Sequence, residues 1–405
     1  MSHNFNLPQF ISTNITGRDQ SLFIKDIENN TATLQKCIDG KSVLVIGGAG
    51  TIGTNYIKAL LKYKPEKLYV VDTNENSLTE LVRDLRSSNG YNIPDDFKTY
   101  PMNFGDKVFE RMFRAENGFD IVANFAAHKH VRSEKDVFSV EAMIDNNVMK
   151  AKTLLDILLD YPPEHFFCVS TDKAANPVSI MGASKKLMEQ VILAYGKYFK
   201  VTTARFANVA FSNGSLLQGF MERVSKKQPL SSPCDVKRYF VSPEESGQIC
   251  LLACILGKTG DIFYPKLHEN DMLDFATIAK CFLSDLGYSA DECTSEIEAK
   301  EKAENLHPRS KKYPVYFFQS DTTGEKSFEE FYVESEIKDV TTYVGLGVVK
   351  NLDIPKLSTL QPFFEKLDLL LQKENIEKND IVLLLKEYVI NFTHAEMGKY
   401  LDQKM

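Results

Sequence analysis

The 405-residue chain has no tryptophan and no C-x-x-C pair. Nowhere does it carry a run of about 18 apolar residues, the length a membrane-spanning helix needs. The opening MSHNFNLPQF has neither the basic nor the apolar region of a signal peptide, so the chain is expected to be soluble and cytoplasmic. Its seven cysteines, at 37, 168, 234, 250, 254, 281 and 293, are odd in number and scattered. Reduced, mostly buried thiols are expected, rather than disulfides or metal ligands. A net charge of −7 leaves no excess of positive charge with which to hold a nucleic-acid backbone, and nucleic acid is excluded as a partner. Internal repeats and low-complexity segments are missing too, which removes solenoids and long flexible linkers.

What remains is ordinary for a large globular protein: 43% apolar and 25% charged residues. Strand and helix patterns alternate from residue 42. SVLVIG precedes a helix from 51, and KLYVVD precedes a helix from 76. A short strand near 98–102 leads to DIVANFAA and a helix over about 137–160, and then HFFCVS, a helix over 182–198 and VTTARFA follow. Six or seven short apolar strands separated by helices predict a parallel, doubly wound α/β sheet. Four segments are expected: a helical extension at 1–40, a dinucleotide-binding unit at 41–210, a smaller cap at 211–335 that can lend strands to the sheet, and a helical appendage at 336–405. In the first of these, Leu22, Phe23, Ile27 and Leu34 share one helix face that should pack on the main body or a partner.

The first chemical motif is VLVIGGAGTIGTNYIKALL. An apolar strand runs into Gly47, Gly48, Gly50 and Gly53, and the helix opens at Thr51 and Ile52. Glycines here permit a tight turn and close backbone approach, so that a dinucleotide pyrophosphate meets amides at the helix N-terminus. The next strand ends in Asp72, 19 residues beyond Gly53, where a carboxylate can accept both ribose hydroxyls. That carboxylate would repel a 2′-phosphate, and no arginine follows it, so NAD is expected over NADP. Ala126 and Ala127 leave room at a strand end for the nicotinamide half. Asp106 either contacts the adenine or caps the helix that follows it. His128 and His130 flank Lys129 without metal-like partners, and no metal site is expected.

The stretch VSTDKAANPVSIMGASKK, from 169, holds the most specific signal. A hydroxyl-plus-Tyr-x-x-x-Lys site would place tyrosine at 181, and Met181 stands there, four residues before Lys185. Taken in order with the glycine loop, ARFANVAFSNGS, KRYFVSPEE and TGEKSFEEF, this stretch resembles the extended short-chain dehydrogenase/reductase family over about residues 40–335. The similarity is greatest to the nucleotide-sugar 4,6-dehydratase branch that acts on UDP-N-acetylglucosamine in bacterial glycan synthesis.

The resemblance implies a Rossmann fold, a tightly bound and recycled NAD, and a homodimer or higher oligomer paired through the helices near 137–160 and 182–198. It also implies roles. Thr171 hydrogen-bonds the sugar at C4, Asp172 is the acid at C6, Lys173 is the base at C5, and Lys185 binds the nicotinamide ribose. Asn208 and Arg238 match positions that hold the substrate diphosphate, with Lys129, Ser215 and Met181 also expected on the substrate side. With Met181 in place of tyrosine, the C4 proton must leave by Asp172, by Thr171 or along a bound water. The resemblance leaves two other readings open: an epimerase or dehydrogenase of nucleotide sugars, and a non-catalytic dinucleotide sensor.

Overall fold

Residues 5–351, 354–394, 396–399 and 404–405 are described by a computed structural model of the chain; Met1–Asn4 of the polar opening lie outside them. Among the described residues, nine strands form one sheet: β1 (Ser42–Ile46), β2 (Lys67–Asp72), β3 (Asp96–Pro101), β4 (Ile121–Asn124), β5 (His165–Val169), β6 (Val201–Ala204), β7 (Asp261–Pro265), β8 (Lys338–Asp339) and β9 (Leu346–Lys350). Their spatial order is β8-β9-β7-β6-β5-β4-β1-β2-β3. The seven strands β1 to β7 are parallel, and β8 and β9 run antiparallel at one edge. Parallel strands covered by helices on both faces must be apolar through their centres, which is why SVLVI and HFFCV become apolar after a single polar first residue.

The chain order reverses at β1, where Val43 lies opposite Leu68 of β2 on one side and Ile121 of β4 on the other. Loops leaving β1 and β4 therefore diverge to opposite faces and open a crevice at the carboxyl ends of the strands. The architecture is the expected doubly wound Rossmann fold. A three-stranded parallel sheet, Leu230–Pro233, Lys312–Phe318 and Ser289–Cys293, builds the cap with helices Leu216–Ser225, Phe275–Asp285 and Glu296–Glu304.

Strand β7 comes from the expected cap span, which lends it to the central sheet, whereas β8 and β9, within the span expected to be a helical appendage, also belong to that sheet. Residues 5–40 are built into the body, as the packing face expected there requires. Phe23, just before helix Ile24–Ile38, and Leu34 within it are fully buried, while Phe10, Ile11 and Ile15 join the cap core against Phe211, Phe220 and Phe282. Buried Asp26 accepts the N–H groups of Val344 and Gly345 at 2.6 and 2.7 Å, fixing the start of β9.

The helices expected to pair two subunits are Val137–Ile144, continued as a π-helical turn and Lys150–Asp160, and Ile180–Ala194. Residues 180–194 are buried on almost every side. Helices Leu357–Leu371 and Lys378–Tyr388 of the same chain cover them, adding Phe363, Leu367, Ile381 and Leu385 to one continuous core. Helix Ile180–Ala194, one part of the surface expected for pairing, is thus covered from within the chain, while Phe138 and Leu159 on the other expected helices stay exposed.

Candidate active site

Gly47 sits in the left-handed region at φ 71°, and a Cβ there would meet the Ala126 nitrogen at 2.5 Å. At Gly53 a Cβ would meet the Gly47 oxygen at 2.5 Å. Those two close approaches require glycine, and they draw the loop after β1 against the end of β4. A cavity of about 290 Å³ results, lined by Gly47, Gly50, Thr51, Ile52, Gly53, Asp72, Ala126, Ala127 and Lys129, with Asn103, Phe104 and Asn146. Asp72 accepts the N–H of Ala49 at 3.1 Å and of Asn74 at 2.9 Å, so it fastens the glycine loop while facing the cavity. A narrow, glycine-floored crevice with backbone amides and one rim carboxylate fits a dinucleotide.

Asp106 does not line this cavity. It is exposed and stands at the N-cap of helix Lys107–Ala115, and Asn103 and Phe104 occupy the wall where it was expected. Lys129 donates to the Asn213 carbonyl at 3.0 Å, and the Asn213 N–H reaches Thr51 at 2.9 Å, so the cap-side loop closes on the crevice.

At the end of β5, buried Asp172 gathers three donors on one oxygen: the Thr171 hydroxyl at 2.8 Å, the Lys173 N–H at 2.9 Å and the Lys173 ammonium at 3.0 Å. The three expected catalytic residues thus form one contact group. Gly182 packs on the Lys173 carbonyl, where a Cβ would approach to 2.6 Å, and this seats the turn on helix Ile180–Ala194. Lys185, on that helix, departs from the expected ribose contact. Its ammonium donates inward to the Val169 carbonyl at 2.6 Å and lies 3.2 Å from the Met188 sulfur. Burial holds it below the usual lysine range, against the pull of Cys168 and Glu189.

Met181 is buried, and its N–H donates to Glu134 Oε1 at 2.8 Å while that of Ile180 reaches Oε2 at 2.9 Å. Burial raises the Glu134 carboxyl to about 7, although both N–H groups and Lys378 favour its charge. Lys378 also donates to the Glu134 carbonyl at 2.7 Å, linking the C-terminal helices to this corner.

On the cap side, Asn208 lies in the short strand Asn208–Val209 beside Phe240–Val241. Ser215 is committed as a helix cap, accepting the Gln218 N–H at 3.2 Å. Arg238 is buried rather than open to a diphosphate. Its Nη1 donates to the carbonyls of Lys237, Lys326 and Ser327 at 2.8, 2.9 and 3.3 Å.

Two residues without an expected role complete the group. Arg205, fully buried at the end of β6, makes paired contacts with Glu189 at 2.9 and 2.8 Å and with Glu336 at 2.9 Å twice, and binds the Phe331 carbonyl at 3.0 Å. Burial opposes the Glu189 charge, but Arg205 wins and holds that carboxyl at about 2. The loop between Arg238 and Arg205 carries Glu329 into the interior, 3.8 Å from Lys173 and 3.9 Å from Arg238. A second cavity of about 450 Å³ lies beside this loop, with Asp235, Lys326 and, from the C-terminal segment, Thr393, His394 and Met397 in its wall.

Residues 43–343 match the model of a family described as polysaccharide biosynthesis protein. A protein of Methanocaldococcus jannaschii named as an uncharacterized membrane protein is 30% identical over 350 residues, 84% of this chain and 94% of that one. No helix among the described residues here is long and apolar enough to cross a membrane. A probable polysaccharide biosynthesis protein of Bacillus subtilis is 26% identical over 76% of this chain, which spans 50% of that relative's length. An inverting UDP-N-acetylglucosamine 4,6-dehydratase of Campylobacter jejuni is 28% identical over 64% of this chain and 77% of its own. Among solved structures, dTDP-glucose 4,6-dehydratase of Streptomyces venezuelae, with NAD bound, superposes with a TM-score of 0.55 at 19% identity, covering 72% of this chain and 88% of that one.

Proposed function

This chain belongs to the polysaccharide biosynthesis protein family, and from that premise we propose that it is an NAD-dependent nucleotide-sugar 4,6-dehydratase acting on UDP-N-acetylglucosamine, in surface-glycan synthesis. The observation that carries the reading is the contact between Asp172 and Lys173, a buried carboxylate 3.0 Å from an ammonium, at the strand end beside the dinucleotide-shaped crevice. An epimerase has no use for such a pair.

The Gly47–Gly53 loop would hold NAD, with Asp72 placed to accept its ribose hydroxyls, and the bound cofactor would supply a hydride acceptor for C4 of the sugar and a hydride donor for C6. The protons are left to the protein. A C5 proton is too weakly acidic to remove until C4 is a ketone. Asp172 takes the C4 hydroxyl proton, oriented by Thr171, and thereby becomes the acid that C6 requires. Lys173 then takes the C5 proton, Asp172 protonates the departing C6 hydroxyl as water, and Lys173 returns its proton to C5. Met181 has no part in proton transfer; the carboxylate one step away does the work that a tyrosine would do.

A substrate labelled with deuterium at C4 tests the reading. Dehydration delivers the label to C6 of a product that has lost one water, whereas epimerisation returns it to C4.

A further inference from the structure

We propose that Glu329 takes up the proton that Lys173 must shed before it can act as a base; the inference rests on the role given to Lys173 above. Lys173 already donates to Asp172, and an ammonium has no lone pair with which to attack a C–H bond. Somewhere within reach, a group must accept the surplus proton.

Glu329 is placed for this. Its side chain is 4% exposed, Oε1 lies 3.8 Å from the Lys173 nitrogen, and Oε2 is buried with no hydrogen-bond partner among the described residues. An ionised carboxylate with one oxygen unpaired in the interior is costly, and a proton relieves it. The charged groups facing it are Lys173, Asp172, Arg238 and Lys326. Burial, the largest influence, pushes the Glu329 carboxyl upward; Asp172 adds to this and the three cations oppose it. The placement is fixed from both sides, by Arg238 on the carbonyls of Lys326 and Ser327 and by Arg205 on that of Phe331.

The protons balance over a cycle. Once Asp172 holds the C4 hydroxyl proton, Lys173 faces one ionised carboxylate, and its N–H bond breaks as an O–H bond forms on Glu329. Neutral Lys173 then takes the C5 proton and later returns it. Asp172, ionised again after water departs, draws the stored proton back from Glu329 to Lys173. Glu329 acts through Lys173 and is a positioning residue.

Two measurements on the full chain test this. With UDP-N-acetylglucosamine, Glu329→Gln is expected to lower kcat about 100-fold at neutral pH. Its activity should recover as the pH is raised, with KM unchanged and Glu329→Asp intermediate. A Glu329→Gln profile parallel to wild type at every pH overturns the proposal. Free enzyme carrying Asp172→Asn, which mimics Asp172 after protonation, should show a carboxylic-acid band in infrared difference spectra that Glu329→Gln removes. Absence of that band also overturns it. This second arm needs no turnover, so a wild type that fails to dehydrate refutes the functional reading while the band still decides where the proton lies.

Discussion

Glu134 receives the Met181 N–H at 2.8 Å, so the position where a tyrosine was expected is held by a carboxyl through the backbone. Burial raises that carboxyl from 4.5 to about 7. A group raised in this direction contributes stability that is full below pH 4.5 and lost as pH climbs through 7. Glu134→Gln should flatten this dependence, removing on the order of 2–3 kcal/mol of difference between acid and neutral pH. Urea unfolding of both proteins on either side of that window checks it; equal slopes would contradict the assignment.

Asp172 is expected to begin the reaction as well as to finish it. Asp172→Asn should slow the reduction of bound NAD by substrate at least about 100-fold. Stopped-flow absorbance reads this step directly, and a wild-type rate in the variant would assign the C4 proton to another path.

Removing one partner of the buried Arg205 cluster leaves a charge poorly matched. Glu189→Gln should cost about 3 kcal/mol. The Glu189 carboxyl is held near 2 against an ordinary 4.5, so its contribution is present above pH 4.5 and fades as pH falls toward 2. Unfolding at neutral pH should show the loss, and near the acid limit the two proteins should converge.

The C-terminal helices cover helix Ile180–Ala194, one of the helices expected at a subunit contact. A chain ending at residue 351 should uncover apolar side chains around helix Ile180–Ala194 and self-associate more strongly than the full chain. Sedimentation at several concentrations tests this. A truncated chain that stays monomeric and folded would contradict it.

Features that rest on local sequence were legible without coordinates. The glycine loop, Asp72, the six parallel strands to Ala204 and the Thr171–Lys173 group announce themselves within short windows, because turn geometry and strand burial act over a few residues. Glu329 and Arg205 did not, since their meaning comes from contacts spanning more than 100 positions. Asp106 left two roles open in the sequence, and the structure places it at the helix N-cap position outside the cavity. The helix face that carries Lys185 was legible, but its contact with the Val169 carbonyl was not, because a long side chain can turn either way from one helix position. The strands at 338–350 lie beyond the alternating pattern, and a short antiparallel edge pair leaves no helical crossover to mark it.

The central claim is that this chain removes water from a nucleotide sugar. Purified protein incubated with UDP-N-acetylglucosamine, followed by mass spectrometry of the sugar nucleotide, should yield a product lighter by one water, with no net release of NADH. An unchanged mass after prolonged incubation with added NAD would contradict the account.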